Sequence, residues 1–120
     1  MAVEFNITQS DNWFVGEDKT FLVDVVQSDG STPQAMTGWA LTHEIMDRAG
    51  GTVQLSHTVG DGITIGNGDG TNDRATVTIT DAEGETLGAG TYYHRLRRTD
   101  AGSEQMLSFG SAVLKENAGT

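Results

Sequence analysis

Two long alternating runs joined by a short turn signal constrain this chain more than any other feature in it. Residues 91–98 read TYYHRLRR and residues 104–114 read EQMLSFGSAVL, with Thr99, Asp100, Ala101, Gly102 and Ser103 between them. Successive side chains of a strand point to opposite faces. The first run therefore carries Tyr92, His94 and Leu96 on one face and Tyr93, Arg95 and Arg97 on the other. Aspartate and glycine in a short linker between two such runs specify a β-hairpin. An isolated pair of strands is marginal in water, so the rest of the chain is expected to pack around it.

The remaining segments supply those neighbours. KTFLVDVVQ (19–27) sets Phe21, Val23 and Val25 on one face and Asp24 on the other, and SDGSTPQ (28–34) is a loop with the only proline. WALTHEIM (39–46) alternates too. Its Ala, Leu, Glu and Met favour helix, but the run is short and ends at Gly50-Gly51, so a strand is preferred. TVQLSHTV (52–59), ITI (63–65) and RATVTIT (74–80) follow, and residues 3–8 form a first edge strand. Residues 81–90 leave room for one helical turn, and residues 116–120 are expected to fray. These are seven to eight short strands with turn signals roughly every 8–12 residues. The prediction is one all-β domain over residues 1–120, an antiparallel immunoglobulin-like β-sandwich. Its expected core includes Phe21, Val23, Trp39, Ile45, Val77, Leu96, Leu107 and Val113, with Trp39 near the middle. Tyr92, just after Leu87 and Gly90, sits where immunoglobulin-like domains place a tyrosine whose hydroxyl bonds back to the preceding loop.

Bulk chemistry narrows the partners. Seventeen acidic residues against seven basic ones give a net charge of −10. Such a surface repels nucleic acid and anionic membranes, since phosphate recognition needs clustered Lys or Arg. The one basic cluster, Arg95, Arg97 and Arg98, reads as a solvated strand face balancing nearby acids. There is no cysteine, no run of about 20 apolar residues and no basic-then-apolar amino terminus. The expectation is synthesis in a reducing cytoplasm with no membrane partner.

No catalytic constellation is legible. His43, His57 and His94 lack metal-binding spacing and read as sheet histidines held by hydrogen bonds. The loop GNGDGTND (66–73) resembles a calcium loop, but the position where an EF-hand needs glutamate is Thr80. Asp69 and Asp73 are the only metal candidates it offers, and the preferred reading is a connection that uses Gly and Asn for positive φ. No nucleophile elbow or phosphate-binding helix follows any glycine motif, so neither a cofactor nor an enzymatic role is expected. Trp13, Phe14 and Tyr93 are candidate exposed aromatics and, with Arg95 and Arg97, candidate partner contacts.

Four stretches carry a resemblance: Gly16-Glu17-Asp18-Lys19-Thr20, Thr37-Gly38-Trp39-Ala40-Leu41, residues 87–102 from Leu87-Gly88-Ala89-Gly90 onward, and Phe109-Gly110-Ser111-Ala112-Val113-Leu114. Together they resemble immunoglobulin-like virion proteins of tailed bacteriophages. The comparison is with the amino-terminal domain of siphophage baseplate upper proteins and related small tail-fibre or head-decorating proteins. The resemblance implies a structural protein of the virion, made in the host cytoplasm, that docks onto other virion subunits and acts as a homo-oligomer. It would serve as a tail, baseplate or fibre adaptor or as a capsid decoration protein. The alternative, prompted by the aromatics, is a carbohydrate-binding module that contacts the host surface.

Overall fold

The computed structural model describes residues 3–4, 6–7 and 13–116. The chain is mostly β. Its elements are β1 (Val3–Glu4), β2 (Lys19–Asp24), β3 (Leu41–Met46), β4 (Val53–Val59), β5 (Gly62–Gly66), β6 (Arg74–Ile79), α1 (Asp81–Leu87), β7 (Gly90–Arg98) and β8 (Gln105–Leu114). The last residues of the predicted first strand and tail, Thr8 and 117–120, lie outside the described residues.

The predicted hairpin is the backbone of the fold. β7 and β8 pair antiparallel from Gly90↔Leu114 to Arg98↔Gln105. β7 then pairs antiparallel with β3, and β3 with β4. On the other side β5 pairs with β6 and β6 with β2, again antiparallel. The order in the sheet is β1-β8-β7-β3-β4-β5-β6-β2.

Two pairings correct the expectation of a purely antiparallel sheet. β1 runs parallel to β8, and its direction continues in the parallel bridges Ile7↔Ala112 and Phe14↔Lys115. β4 and β5 are joined in parallel through Thr58↔Gly62 and Val59↔Ile63. The cause of the second is the glycine pair Gly60 and Gly62, at φ 89° and 98°, values that side chains with a Cβ rarely adopt. They turn the chain so tightly that β5 leaves alongside the end of β4. The sheet is mixed and nearly closed into a barrel.

Alternation places the core. Ala75, Val77 and Ile79 of β6 are fully buried, as are Leu41 and Ile45 of β3 and Leu96 of β7. Phe21 of β2 reaches across the interior to His43 of β3 and His94 of β7, with ring centroids 5.3 and 5.5 Å apart, both edge-on. Strands that are not sheet neighbours thus meet through their inner faces.

Val113 was expected inside with Leu107, and only Leu107 is. A bulge explains it: Leu96 pairs with Ser108 but Arg97 with Met106, leaving Leu107 as the extra residue. One extra residue reverses the facing of everything beyond it. Ala112 and Leu114 therefore point inward in place of Val113. Trp39 is also displaced from the predicted centre. It precedes β3, is half-buried, and carries the Arg98 guanidinium 4.0 Å above its ring.

α1 is two turns rather than one. Thr80 and Glu83 form a reciprocal cap, the Thr80 hydroxyl accepting from the Glu83 N–H and the Glu83 carboxylate from the Thr80 N–H. The predicted tyrosine contact is present: the Tyr92 hydroxyl donates toward the Leu87 and Gly88 carbonyls, 2.6 and 2.8 Å away. It fixes the end of α1 to the start of β7.

Candidate functional site

Three groupings of polar side chains could carry a function. The first is inside. His43, His57 and His94 are 0%, 2% and 1% exposed. The β3–β4 register sets His43 directly opposite His57, and the β3–β7 register sets it opposite Leu96. His43 Nδ1 and His57 Nδ1 lie 3.2 Å apart, and His57 Nε2 lies 3.1 Å from both Glu83 carboxylate oxygens. A carboxylate only accepts. Hence His57 Nε2 carries a proton and donates it to Glu83, and one of the two facing Nδ1 atoms donates to the other. His43 Nε2 has no hydrogen-bond partner among the described residues.

Burial, reinforced by His94 and His57, pushes the His43 pKa well below the usual histidine value. Partial burial pushes Glu83 up, but the Thr80 N–H and His57 outweigh it and hold its carboxyl below its ordinary range. The grouping joins β3, β4, β7 and the helix cap. Its three imidazoles are packed in the core, and the Glu83 carboxylate is partly exposed. No group of three or more His, Asp or Glu side chains is arranged to hold a metal ion among the described residues.

The second grouping is the outer face of β3 and β7. Glu44 accepts from Arg95 Nε at 2.8 Å and from Arg97 Nε at 3.1 Å. Partial burial pushes Glu44 up, but the two guanidinium groups hold its carboxyl below the usual range. Arg98 is engaged separately, with Asp100 at 2.7 Å. The basic cluster therefore balances acids, as expected of a strand face. Tyr93 lies on the same face, opposite Met46 of β3 and Ser111 of β8, and Phe109 is opposite Arg95. Three predicted contact residues, Tyr93, Arg95 and Arg97, are thus together. Beside them runs β4, whose residues 53–57, among the described residues, have a sheet neighbour on one side only.

The other two predicted contacts lie elsewhere. Trp13 is a correction: it is 0% exposed. Its carbonyl accepts from the Lys115 N–H and the Val15 N–H donates to the Lys115 carbonyl, which seats residue 13 against the end of β8 with its indole inside. The short run Trp13-Phe14-Val15 has no period from which a facing could be read. Phe14 is half-buried beneath the Lys115 ammonium, 4.5 Å from its ring centroid.

Asp69 and Asp73 sit in different environments. Asp73 is 1% exposed, and its two carboxylate oxygens accept the Gly68 and Gly70 N–H groups at 2.7 and 3.1 Å. Those bonds, the Gly68 one foremost, lower its pKa. They fold the loop over its own carboxylate, while Asp69 is exposed.

The third grouping was not anticipated. It is a cleft of about 270 Å³ lined by Gln27, Ser28, Gln34, Trp39 and Gln105 with two adjacent valines. Its residues come from the β2–β3 connection and the start of β8, so no local motif could announce it. Comparisons of the sequence with protein-family models and with curated proteins give no match.

Proposed function

We propose that this protein is a non-enzymatic structural module of a tailed-phage particle, acting as a tail, baseplate or fibre adaptor or as a capsid decoration protein. The phage attribution rests on the resemblance carried by the four stretches above. The mode of action rests on one observation: among the described residues, 53–57 of β4 pair with β3 alone. Exposed edges are a hazard that proteins blunt with charge, proline or a covering element. Residues 49–60 contain no Asp, Glu, Lys or Arg in a chain carrying twenty-four of them. Gln54 and Ser56 are exposed, and Val53 is 41% exposed. An uncharged edge in an acidic molecule is the place where another subunit can add a strand without meeting carboxylates. The adjoining face with Tyr93, Arg95 and Arg97 supplies side chains for the same partner. Closed assemblies repeat such contacts by symmetry, so the module acts in several copies.

The finer fold reading belongs to the same proposal. β2, β6 and β5 correspond to one immunoglobulin-like sheet and β4, β3, β7 and β8 to the other, linked among the described residues by the pairs Thr58↔Gly62 and Val59↔Ile63. Tyr92 has the corner tyrosine's position and bond. His94 stands two residues on, where antibody domains carry their second disulfide cysteine, and packs edge-on against Phe21.

The test is an edge charge. Gln54→Lys should leave the purified protein folded but block its incorporation into particles, and the amides of residues 53–56 should exchange more slowly in particles than in free protein. Normal incorporation of the variant with unchanged exchange would sink the docking mode.

A further inference from the structure

We infer that the cleft between the β2–β3 connection and the start of β8 binds a neutral polyhydroxyl ligand, a single uncharged sugar unit of a glycan. The inference is independent of the assembly proposal and takes the sugar-binding alternative to different residues. The aromatics that first prompted it are accounted for otherwise, since Trp13 is buried and Phe14 lies under Lys115.

The lining carries the argument. Three glutamines (Gln27, Gln34 and Gln105), Ser28 and Trp39 line the cleft beside the two valines. None is ionisable, although the chain has a net charge of −10. The Gln27 and Gln105 carboxamides each carry two donors and an acceptor, and Gln34 keeps an acceptor and one N–H beyond its bond to Ala35, which matches adjacent hydroxyl groups that themselves both donate and accept. An indole adds an apolar surface for ring C–H groups and one N–H donor. A charged ligand would find no counter-ion in this lining, the neighbouring Arg98 being already paired with Asp100, and a purely apolar one would strand the amides. The volume, about 270 Å³, is near the lower end of the roughly 300–1,000 Å³ typical of small-molecule sites, so it suits one sugar ring better than a long chain.

The site is also held in shape before any ligand arrives. Arg98 covers the Trp39 ring at 4.0 Å, and its Nε donates to Asp100 Oδ2 at 2.7 Å. The same oxygen accepts the Ala40 N–H at 2.9 Å, and the Trp39 N–H donates to the Met36 carbonyl at 3.0 Å. Gln34 Nε2 donates to the Ala35 carbonyl at 2.8 Å, which orients its amide. Groups fixed in advance lose less freedom on binding. Gln27 and Gln105 are exposed at the rim, available to close on a ligand.

The experiment titrates the intact protein with glucose, galactose and N-acetylglucosamine, with galacturonic acid, glucosamine and glycerol as charged and minimal controls. Saturation-transfer NMR reports contact and amide chemical shifts report the site. At least one neutral sugar should bind saturably and shift the side-chain amides of Gln27, Gln34 and Gln105. Gln27→Ala and Gln105→Ala, both at exposed positions that folding does not need, should each weaken it about five- to tenfold, the loss of one hydrogen bond. Gln54→Ala, on β4, should leave it unchanged. The inference is overturned if no neutral sugar binds, if the charged sugars or glycerol bind equally well, or if the two rim variants bind like the native protein.

Discussion

Lowering the pH from 7.5 to 5.5 should destabilise the fold through His43. In the folded protein, burial holds the His43 pKa well below the usual 6.5, so the ring stays neutral across this range. In the unfolded chain the same ring takes up a proton near its ordinary value. The unfolded state therefore binds one more proton, and stability falls as pH falls below about 6.5. Above that value the contribution is complete. Integrated down to pH 5.5, one such histidine removes about 1.4 kcal/mol. For a domain of this size that corresponds to a melting point lower by roughly 3–6 °C. Asp24, Glu44 and Glu83 also have lowered values, but carboxylates lose their contribution only below about pH 4.5, outside the window. Urea unfolding at both pH values, followed by tryptophan fluorescence, measures the difference. His43→Leu replaces the titrating ring with an apolar side chain near it in size, and its loss between the two pH values should be about 1.4 kcal/mol smaller than that of the native protein. An equal loss in both proteins would refute the assignment of His43 as a neutral buried group.

Three further outcomes follow from named contacts. Tyr92→Phe removes the hydroxyl that ties β7 to the end of α1 and should cost about 1 kcal/mol in denaturant unfolding, without altering the far-ultraviolet spectrum. Gly62→Ala places a Cβ 2.4 Å from His57 Cδ2 on a backbone at φ 98°, so it should lower stability by about 1–3 kcal/mol and disturb the His57 ring resonances most. Asp73→Ala frees the Gly68 and Gly70 N–H groups, and their hydrogen exchange should accelerate while amides of the β7–β8 ladder stay protected.

The strands were readable because each carries its own period. β6 alternates without interruption, and all three of its inward residues are fully buried. The hairpin was readable from its turn residues, and Tyr92 from its distance to the glycines before it. Facing beyond a bulge was not readable: the extra residue at Leu107 leaves no mark in composition, yet it turns Val113 out and Ala112 and Leu114 in. Parallel pairing was not readable either, because it depends on where a strand arrives rather than on what it contains. At the candidate sites, Tyr93, Arg95 and Arg97 could be grouped from one strand's alternation, but their counter-ion Glu44 comes from β3 and required the register. The His57–Glu83 contact and the Trp39 cleft join segments far apart in sequence, and neither contains a motif.

The proposed role as a virion component is tested most directly by quantitative mass spectrometry of purified phage particles from cells expressing this protein, scaled to the major capsid protein. The account predicts a fixed, reproducible copy number: near one per capsid subunit or capsomer for a decoration protein, and only a few per particle for a tail adaptor. Absence from washed particles, while the protein remains abundant in the lysate, would contradict it.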